Sequence, residues 1–320
     1  MKILITGACG FIGFNLANKF LKNNKNILVF GIDNFDDYYS IQLKKKRLRI
    51  LKNYRNFRFN RIDIFKKDLL KQYFKNKKFD YVIHLAAQAG VRYSLVDPKK
   101  FIDVNLVGYL NLLEELKKRK PKKVFYASSS SVYGDNNNFP LKETEKLNPK
   151  NIYGVSKKLN EIISKFYSRK YNMHLIGMRF FTIYGEWGRP DMFFLKLFKS
   201  AFSKDVFNLN NRGNHHRDFT YIGDIFALIN SLMKKKTLKH DVYNFCSNNP
   251  IDISKIVERV KKRYPLRIKL RPLQRADIIK THGSNKKIIK TTKYRDFVKI
   301  NDGFEKTLNW YKNYKIHLFK

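Results

Sequence analysis

The chain has 320 residues, with 67 Lys and Arg against 26 Asp and Glu, a formal net charge of +41. Aromatic residues make up 15% of it, too many for a disordered polycation, and two cysteines exclude a disulfide scaffold. No apolar run nears the roughly 20 residues of a membrane span, the seven histidines show no metal-ligand spacing, and the opening MKILITGACGFIG meets glycine too soon for a secretory leader.

In chain order, apolar runs at 3–5, 27–30, 57–59, 81–83 and 124–126 predict strands. Amphipathic segments near 12–22, 40–51, 66–75, 101–118 and 153–170 predict helices between them. Such alternation requires right-handed crossovers and a parallel sheet. The expected fold class is α/β, a Rossmann-type doubly wound sheet closed by a sixth strand at 176–180. Turn clusters at 185–190, 208–214 and 248–250 then break the pattern. This predicts a dinucleotide-binding domain at 1–179 and a smaller α/β substrate domain at 180–320, with 216–236 returning to the first. The protein is expected to be soluble and cytoplasmic.

Gly7, Gly10 and Gly13 form a G-x-x-G-x-x-G loop between the first strand and helix. Glycine allows the tight turn and close approach that a pyrophosphate needs, and the helix N-terminus supplies free N–H groups. Asp33 ends the second strand about 20 residues on, where a ribose-binding acid belongs. Asn34, Asp36 and Asp37 follow it without an Arg, so NAD is expected over NADP. Cys9 lies in this loop. It is either a redox-sensitive thiol or, the blander and favoured reading, a small space-filler.

Tyr153 and Lys157 stand one helical turn apart, so a cation lies near a phenol that can act as base. The same spacing recurs at Tyr73/Lys77 and Tyr311/Lys315 and proves nothing alone. What separates Tyr153 is the strand at 124–127 delivering Ser128, Ser129, Ser130 and Ser131 to the ligand-binding end of the sheet.

With TGACGFIG at 6–13, HLAAQAGVRYS at 84–94, ASSSSVYG at 127–134, RFFTIYGEWGRPDM at 179–192 and RDFTYIGDI at 217–225, the chain resembles the extended short-chain dehydrogenase/reductase family, the NAD-dependent epimerases and dehydratases, along nearly its whole length. Within it the motifs are most similar to those of UDP-glucuronate 4-epimerases. The resemblance implies NAD as cofactor, held by Gly7, Gly10, Phe11, Ile12 and Gly13, by Asp33, Asn34, Asp63 and Ile64, and by Leu85, Ala86, Ala87, Asn105, Tyr153 and Lys157. It implies Tyr153 as base, Lys157 as the group that holds its pKa down, and Ser129 on the substrate C4 oxygen. Dehydratases and decarboxylases of the family carry acids where this chain has Ser130 and Ser131, which leaves epimerisation at C4. It implies a UDP-sugar substrate, UDP-glucuronate first and UDP-galactose or UDP-N-acetylglucosamine as alternatives, and a homodimer through the helices near 101–118 and 153–170.

For the substrate, Arg217 is the candidate for the diphosphate, Arg92 and Arg189 for anionic groups, and Ser128, Ser130 and Thr182 for a C5 carboxylate. Asp277, beside Arg275, is a candidate at the uridine end. Glu186, Gly223 and the pair Arg275-Ala276 depart from the family pattern, in which Pro, Asp and Pro-Gly stand at those places. The basic runs at 44–47, 117–120, 234–236 and 261–263 are the best support for a nucleic-acid or anionic-surface binder. They are scattered, lack a nucleic-acid motif, and read as solvated faces, the first two on amphipathic helices. The expectation is no specific nucleic acid and no membrane insertion. Abundant Lys, Asn, Ile, Phe and Tyr, all with A/T-rich codons, make the charge a drift in composition.

Overall fold

The structure, a computed structural model, describes residues 1–203, 205–274 and 278–318, the last four by backbone alone. Strands form at Lys2–Thr6 (β1), Leu28–Asp33 (β2), Phe57–Arg61 (β3), Tyr81–His84 (β4), Lys123–Ser129 (β5) and Leu175–Phe180 (β6). Between them run helices Phe11–Asn23 (α1), Ile41–Lys52 (α2), Lys67–Phe74 (α3), Pro98–Ile102 (α4), Tyr109–Lys117 (α5) and Ile152–Tyr171 (α6), with a π-helical turn at Asp103–Gly108 joining α4 to α5. Beyond these lie Thr182–Tyr184 (β7), Phe193–Phe202 (α7), Phe207–Asn210 (β8), His216–Tyr221 (β9), Ile222–Lys234 (α8) and His240–Phe245 (β10). Pro250–Asp252 (β11), Ile253–Lys261 (α9), Ile268–Arg271 (β12), Lys286–Thr292 (α10) and Ile300–Leu318 (α11) complete the order.

The main sheet is seven-stranded in the order β10-β6-β5-β4-β1-β2-β3, and every pair in it is parallel. All six residues of β6 are buried, as strands covered by helices on both faces must be. The expectation that 176–180 closes the sheet is corrected. β10 pairs outside β6, from His240↔Leu175 to Phe245↔Phe180. Its sequence, HDVYNF, hides the strand because Asp241 and Asn244 are buried for their hydrogen bonds: Lys287 donates to Asp241, and Asn244 Nδ2 donates to the Leu141 carbonyl at 2.8 Å. A segment from the expected second domain thus completes the first domain's sheet. α8 also lies on that side, with Phe226 packed edge-on against Phe20 of α1 at 5.0 Å.

One face of the sheet buries Phe14, Leu16, Ile225 and Leu228, and the other buries Leu70, Val82, Tyr109 and Leu112. A separate aromatic core of Phe194, Phe198, Phe219, Phe304 and Tyr311 holds the smaller elements, including a three-stranded sheet β11-β9-β7. Strand order reverses at β1, which has β2 on one side and β4 on the other. Chains leaving β1 and β4 therefore diverge, and a crevice opens at their carboxyl ends.

Helix α2 overturns the solvated-face reading of 44–47. Leu43, Arg47 and Leu51 fall at i, i+4 and i+8, and all three are buried, with Arg47 fully so. Its guanidinium donates to the Cys9 carbonyl at 2.9 Å, the Trp187 carbonyl at 2.5 Å, the Gly188 carbonyl at 3.0 Å and Tyr39 Oη at 2.8 Å. One side chain therefore ties the glycine loop to the loop after β7. Replacing Arg47 with Ala would strand these buried acceptors, and we expect a loss of about 3 kcal/mol in urea unfolding. In the run at 117–120, Lys117 pairs with Glu114 and Arg119 with Glu115. The runs at 234–236 and 261–263 are exposed as expected.

Candidate active site

A cleft of about 1600 Å³ runs along the carboxyl ends of the strands and on past the β7–α7 loop to β8. Its floor is the glycine loop. Gly7 has φ +70°, and a Cβ there would lie 2.8 Å from the Ala86 nitrogen. A Cβ on Gly13 would lie 2.1 Å from the Gly7 carbonyl oxygen. The cradle is thus shaped by the absence of side chains, which fits a pyrophosphate set against the start of α1. Phe11, Ile12 and Gly10 line it with them.

Asp33 sits at the next strand end, its carboxylate accepting from the Cys9 nitrogen at 3.0 Å and the Phe35 nitrogen at 2.9 Å. Asn34 donates to Asp63 at 3.1 Å, and both border the cleft with Ile64. This acidic corner contains a cation that the sequence reading placed in solvent. Lys44 is buried, bonds the Asp36 carbonyl, and its charge acts on Asp33. Cys9 is fully buried, and burial pushes its thiol well above the usual range. The structure supports a space-filler there and not a redox-sensitive thiol.

Leu85, Ala86 and Ala87 form the opposite wall. The Leu85 and Ala86 nitrogens donate to Thr6 Oγ1 at 3.2 and 3.1 Å, which fixes this wall to β1. Asn105, expected at the cofactor, does not face the cleft. Its side chain accepts from the Gln88 nitrogen at 2.7 Å and donates to the Gln88 carbonyl at 3.1 Å and to Ser156 at 3.0 Å. It lies in the π-helical turn, turned inward, and braces the wall from behind.

Tyr153 and Lys157 occupy the first turns of α6, whose start is capped by Asn151 accepting from the Gly154 nitrogen at 2.9 Å. Lys157 Nζ lies 5.9 Å from the centre of the Tyr153 ring. Burial raises the Tyr153 pKa, and a hydrogen bond with Ser129 and the charge of Arg189 oppose it. Burial outweighs both, so the net shift is upward. Lys157 is itself pushed down to about 8 by burial. It is charged below that pH and neutral above it, so kcat/KM is expected to fall as pH rises through about 8. A pH profile of Lys157→Arg, whose cation does not titrate there, would lack that limb. The decoys are elsewhere: Tyr73 and Tyr311 are core residues that do not line the cleft.

On the substrate side, Ser129, Ser130, Thr182, Arg92, Arg189 and Arg217 all line the cleft. Ser128 reaches it too, but its single proton goes to Glu161 Oε1 at 2.5 Å, so it has none to offer a carboxylate. Arg189 is gripped by Asp191, Nε to Oδ1 at 3.0 Å and Nη2 to Oδ2 at 2.7 Å, while Tyr38 Oη donates to Asp191 at 3.1 Å. Arg217 donates to the His216 carbonyl at 3.0 Å and the Ile279 carbonyl at 2.8 Å. Asp277 and Arg275 lie outside the described residues. Sequence reasoning missed Tyr38, Gln88, Asp191 and Lys196, which also line the cleft. Of these, Asp191 was signalled by its place two residues after Arg189.

Two departures from the family pattern, Glu186 and Gly223, meet in space. Tyr221 Oη donates to Glu186 Oε1 and Oε2 at 2.8 and 2.7 Å. A Cβ on Gly223 would press on the Tyr221 ring at 2.8 Å. Gly223 makes room for the ring whose hydroxyl holds Glu186.

A family model described as the NAD dependent epimerase/dehydratase family matches residues 3–246. An uncharacterized protein of Methanocaldococcus jannaschii is 38% identical over 99% of this chain and 98% of its own. A UDP-glucuronate 4-epimerase of Thermodesulfobacterium geofontis is 36% identical over 99% of this chain and 98% of its own. The crystal structure of UDP-glucuronic acid 4-epimerase from Bacillus cereus, in complex with UDP-glucuronic acid and NAD, is 30% identical. It superposes with a TM-score of 0.89, covering 98% of this chain and 99% of that one. The glycine cradle, the Asp33 corner and the Tyr153–Lys157 helix are thus features of a chain that belongs to the NAD dependent epimerase/dehydratase family.

Proposed function

We propose that the protein is an isomerase, a NAD-dependent 4-epimerase of UDP-sugars that interconverts UDP-glucuronate and UDP-galacturonate through a transient 4-keto sugar. The observation that carries this is the meeting of Tyr153, Lys157 and Ser129 in the cleft, with Ser130 and Ser131 in place of any carboxylate. Full-length likeness to UDP-glucuronate 4-epimerases supports the choice of sugar.

Bound NAD, seated on the glycine loop and Asp33, supplies the acceptor for the C4 hydride and the donor that returns it. Tyr153, as phenolate, takes the C4 hydroxyl proton and later gives it back. Ser129 gives up its hydrogen bond to Ser131 Oγ, 3.1 Å away, to donate to the C4 oxygen and hold it beside Tyr153. Lys157 places a positive charge under the same site. With no acid at 130 or 131 to remove water or labilise a carboxylate, the 4-keto sugar can only be reduced, on either face. Arg217 and Arg92 take the diphosphate end, and Thr182, Ser130 and Arg189 take the sugar's carboxylate. Residues 1–179 form the cofactor-binding part, joined by β10 and α8, and the remaining elements bind the UDP-sugar. Incubating the purified protein with UDP-glucuronate and with UDP-galactose, and resolving the products, tests this. UDP-galacturonate is expected from the first, and turnover of UDP-galactose alone would overturn the choice of substrate.

We further place a homodimer at α5 and α6. Ile102, Val107 and Leu110 are exposed beside Ile162 and Phe166, the last two by more than half. Sedimentation equilibrium is expected to give twice the chain mass. Among the described residues no helix is long and apolar enough to cross a membrane. Two buried, unpaired cysteines suit a cytoplasmic enzyme serving polysaccharide synthesis.

A further inference from the structure

Ser128 stands next to Ser129 but turns away from it. Its hydroxyl is spent on Glu161, which lies one turn beyond Lys157 and two beyond Tyr153 on the same face of α6. The Glu161 carboxylate also takes Arg179 of β6 in both prongs, Nε to Oε1 at 2.9 Å and Nη2 to Oε2 at 2.7 Å. Arg179 Nη1 donates to Tyr133 Oη at 2.8 Å, and Tyr133 donates to Asn244 of β10 at 2.6 Å. Glu161, Arg179, Ser128, Tyr133 and Asn244 are all buried. A closed network of this kind has one low-energy arrangement, because any partner that leaves strands a buried charge or hydroxyl.

We propose that Glu161 and Ser128 are positioning residues, a clamp by which the helix carrying Tyr153 fixes the end of β5 so that Ser129 faces the phenol. Ser128 is then a brace and not a contact to the sugar. Downstream, Ser129 Oγ accepts from the Ser131 nitrogen at 3.1 Å and donates to Ser131 Oγ at 3.1 Å, so both sides of Ser129 are anchored. The inference rests on the proposed reaction for the roles of Ser129 and Tyr153, and its geometry stands without it.

Ser128→Ala tests the clamp without unfolding the protein, since Arg179 still satisfies both Glu161 oxygens. In the NAD-loaded enzyme we expect kcat to fall about 10- to 100-fold, the loss that a small misplacement of a catalytic group causes. KM, bound NAD and the melting temperature should be unchanged, and Ser128→Thr should restore kcat. Wild-type kcat in Ser128→Ala would overturn the clamp. A raised KM at unchanged kcat would also overturn it, and would make Ser128 a substrate contact.

A second measurement is independent of turnover. Tyr153 is faced by Lys157 from α6, Arg189 from the β7–α7 loop and Ser129 from β5, with the Phe101 ring of α4 6.2 Å away. The ultraviolet pH titration of each protein, less that of the same protein with Tyr153→Phe, isolates this phenol. Its ionisation should move to higher pH in Ser128→Ala as the Ser129 hydrogen bond is lost, and an unmoved midpoint would overturn the clamp. If the wild type turns over no UDP-sugar, the proposed function fails, and the titration still decides the clamp.

Discussion

Tyr153→Phe should leave a folded protein that retains NAD and has lost about a thousandfold in kcat, a value within the range for removing a positioned acid-base group. The substitution deletes one oxygen and keeps the ring that packs edge-on against Phe101 at 6.2 Å, so the fold has no reason to change. The glycine cradle and Asp33, which hold the cofactor's phosphates and ribose, are untouched. Chromatography of the UDP-sugar products measures the loss, and NAD released by acid measures the cofactor. A variant that still epimerises at the wild-type rate would show that another group takes the proton.

Gly13→Ala is expected to abolish cofactor binding. Its Cβ would be placed 2.1 Å from the Gly7 carbonyl oxygen and 2.9 Å from the carbonyl carbon, both backbone atoms that cannot rotate aside. The loop must part from the helix, opening the cradle and costing about 1–3 kcal/mol of stability. Gly10→Ala is the matched control, because its nearest neighbour would be the same oxygen at 3.0 Å, a contact relieved by a few tenths of an ångström. We expect NAD-free protein from the first variant and largely loaded protein from the second. Equal NAD content in the two would show that the steric reading of the loop is wrong.

The elements that sequence reasoning placed well are those whose pattern and burial agree. β1 to β6 are short apolar runs, and both faces of the sheet are covered, so the chain advertises them. β10 escaped because half of its residues are polar and serve interior hydrogen bonds, which hydropathy reads as exposure. Lys44 and Arg47 escaped for the same reason. A run of four cations reads as solvated, although Leu43 and Leu51 at four-residue spacing mark Arg47 as lying on the apolar stripe. Among site residues, those set by loop and strand-end position, such as Gly7, Asp33 and Tyr153, were legible. Which way a side chain turns was not. Ser128 and Asn105 sit beside their expected ligands in sequence and point into the protein, because a carboxylate and a backbone edge there need their hydrogen bonds.

The position of β10 also has a consequence for synthesis. Until residue 245 has left the ribosome, β6 is the bare margin of an unfinished sheet, paired with β5 on one side and with nothing on the other. Sixty-five further residues (245 − 180) must be translated before its partner arrives. The strand at greatest risk of intermolecular pairing is thus the one bearing Arg179, and a truncated chain ending before 240 should aggregate where the whole protein does not.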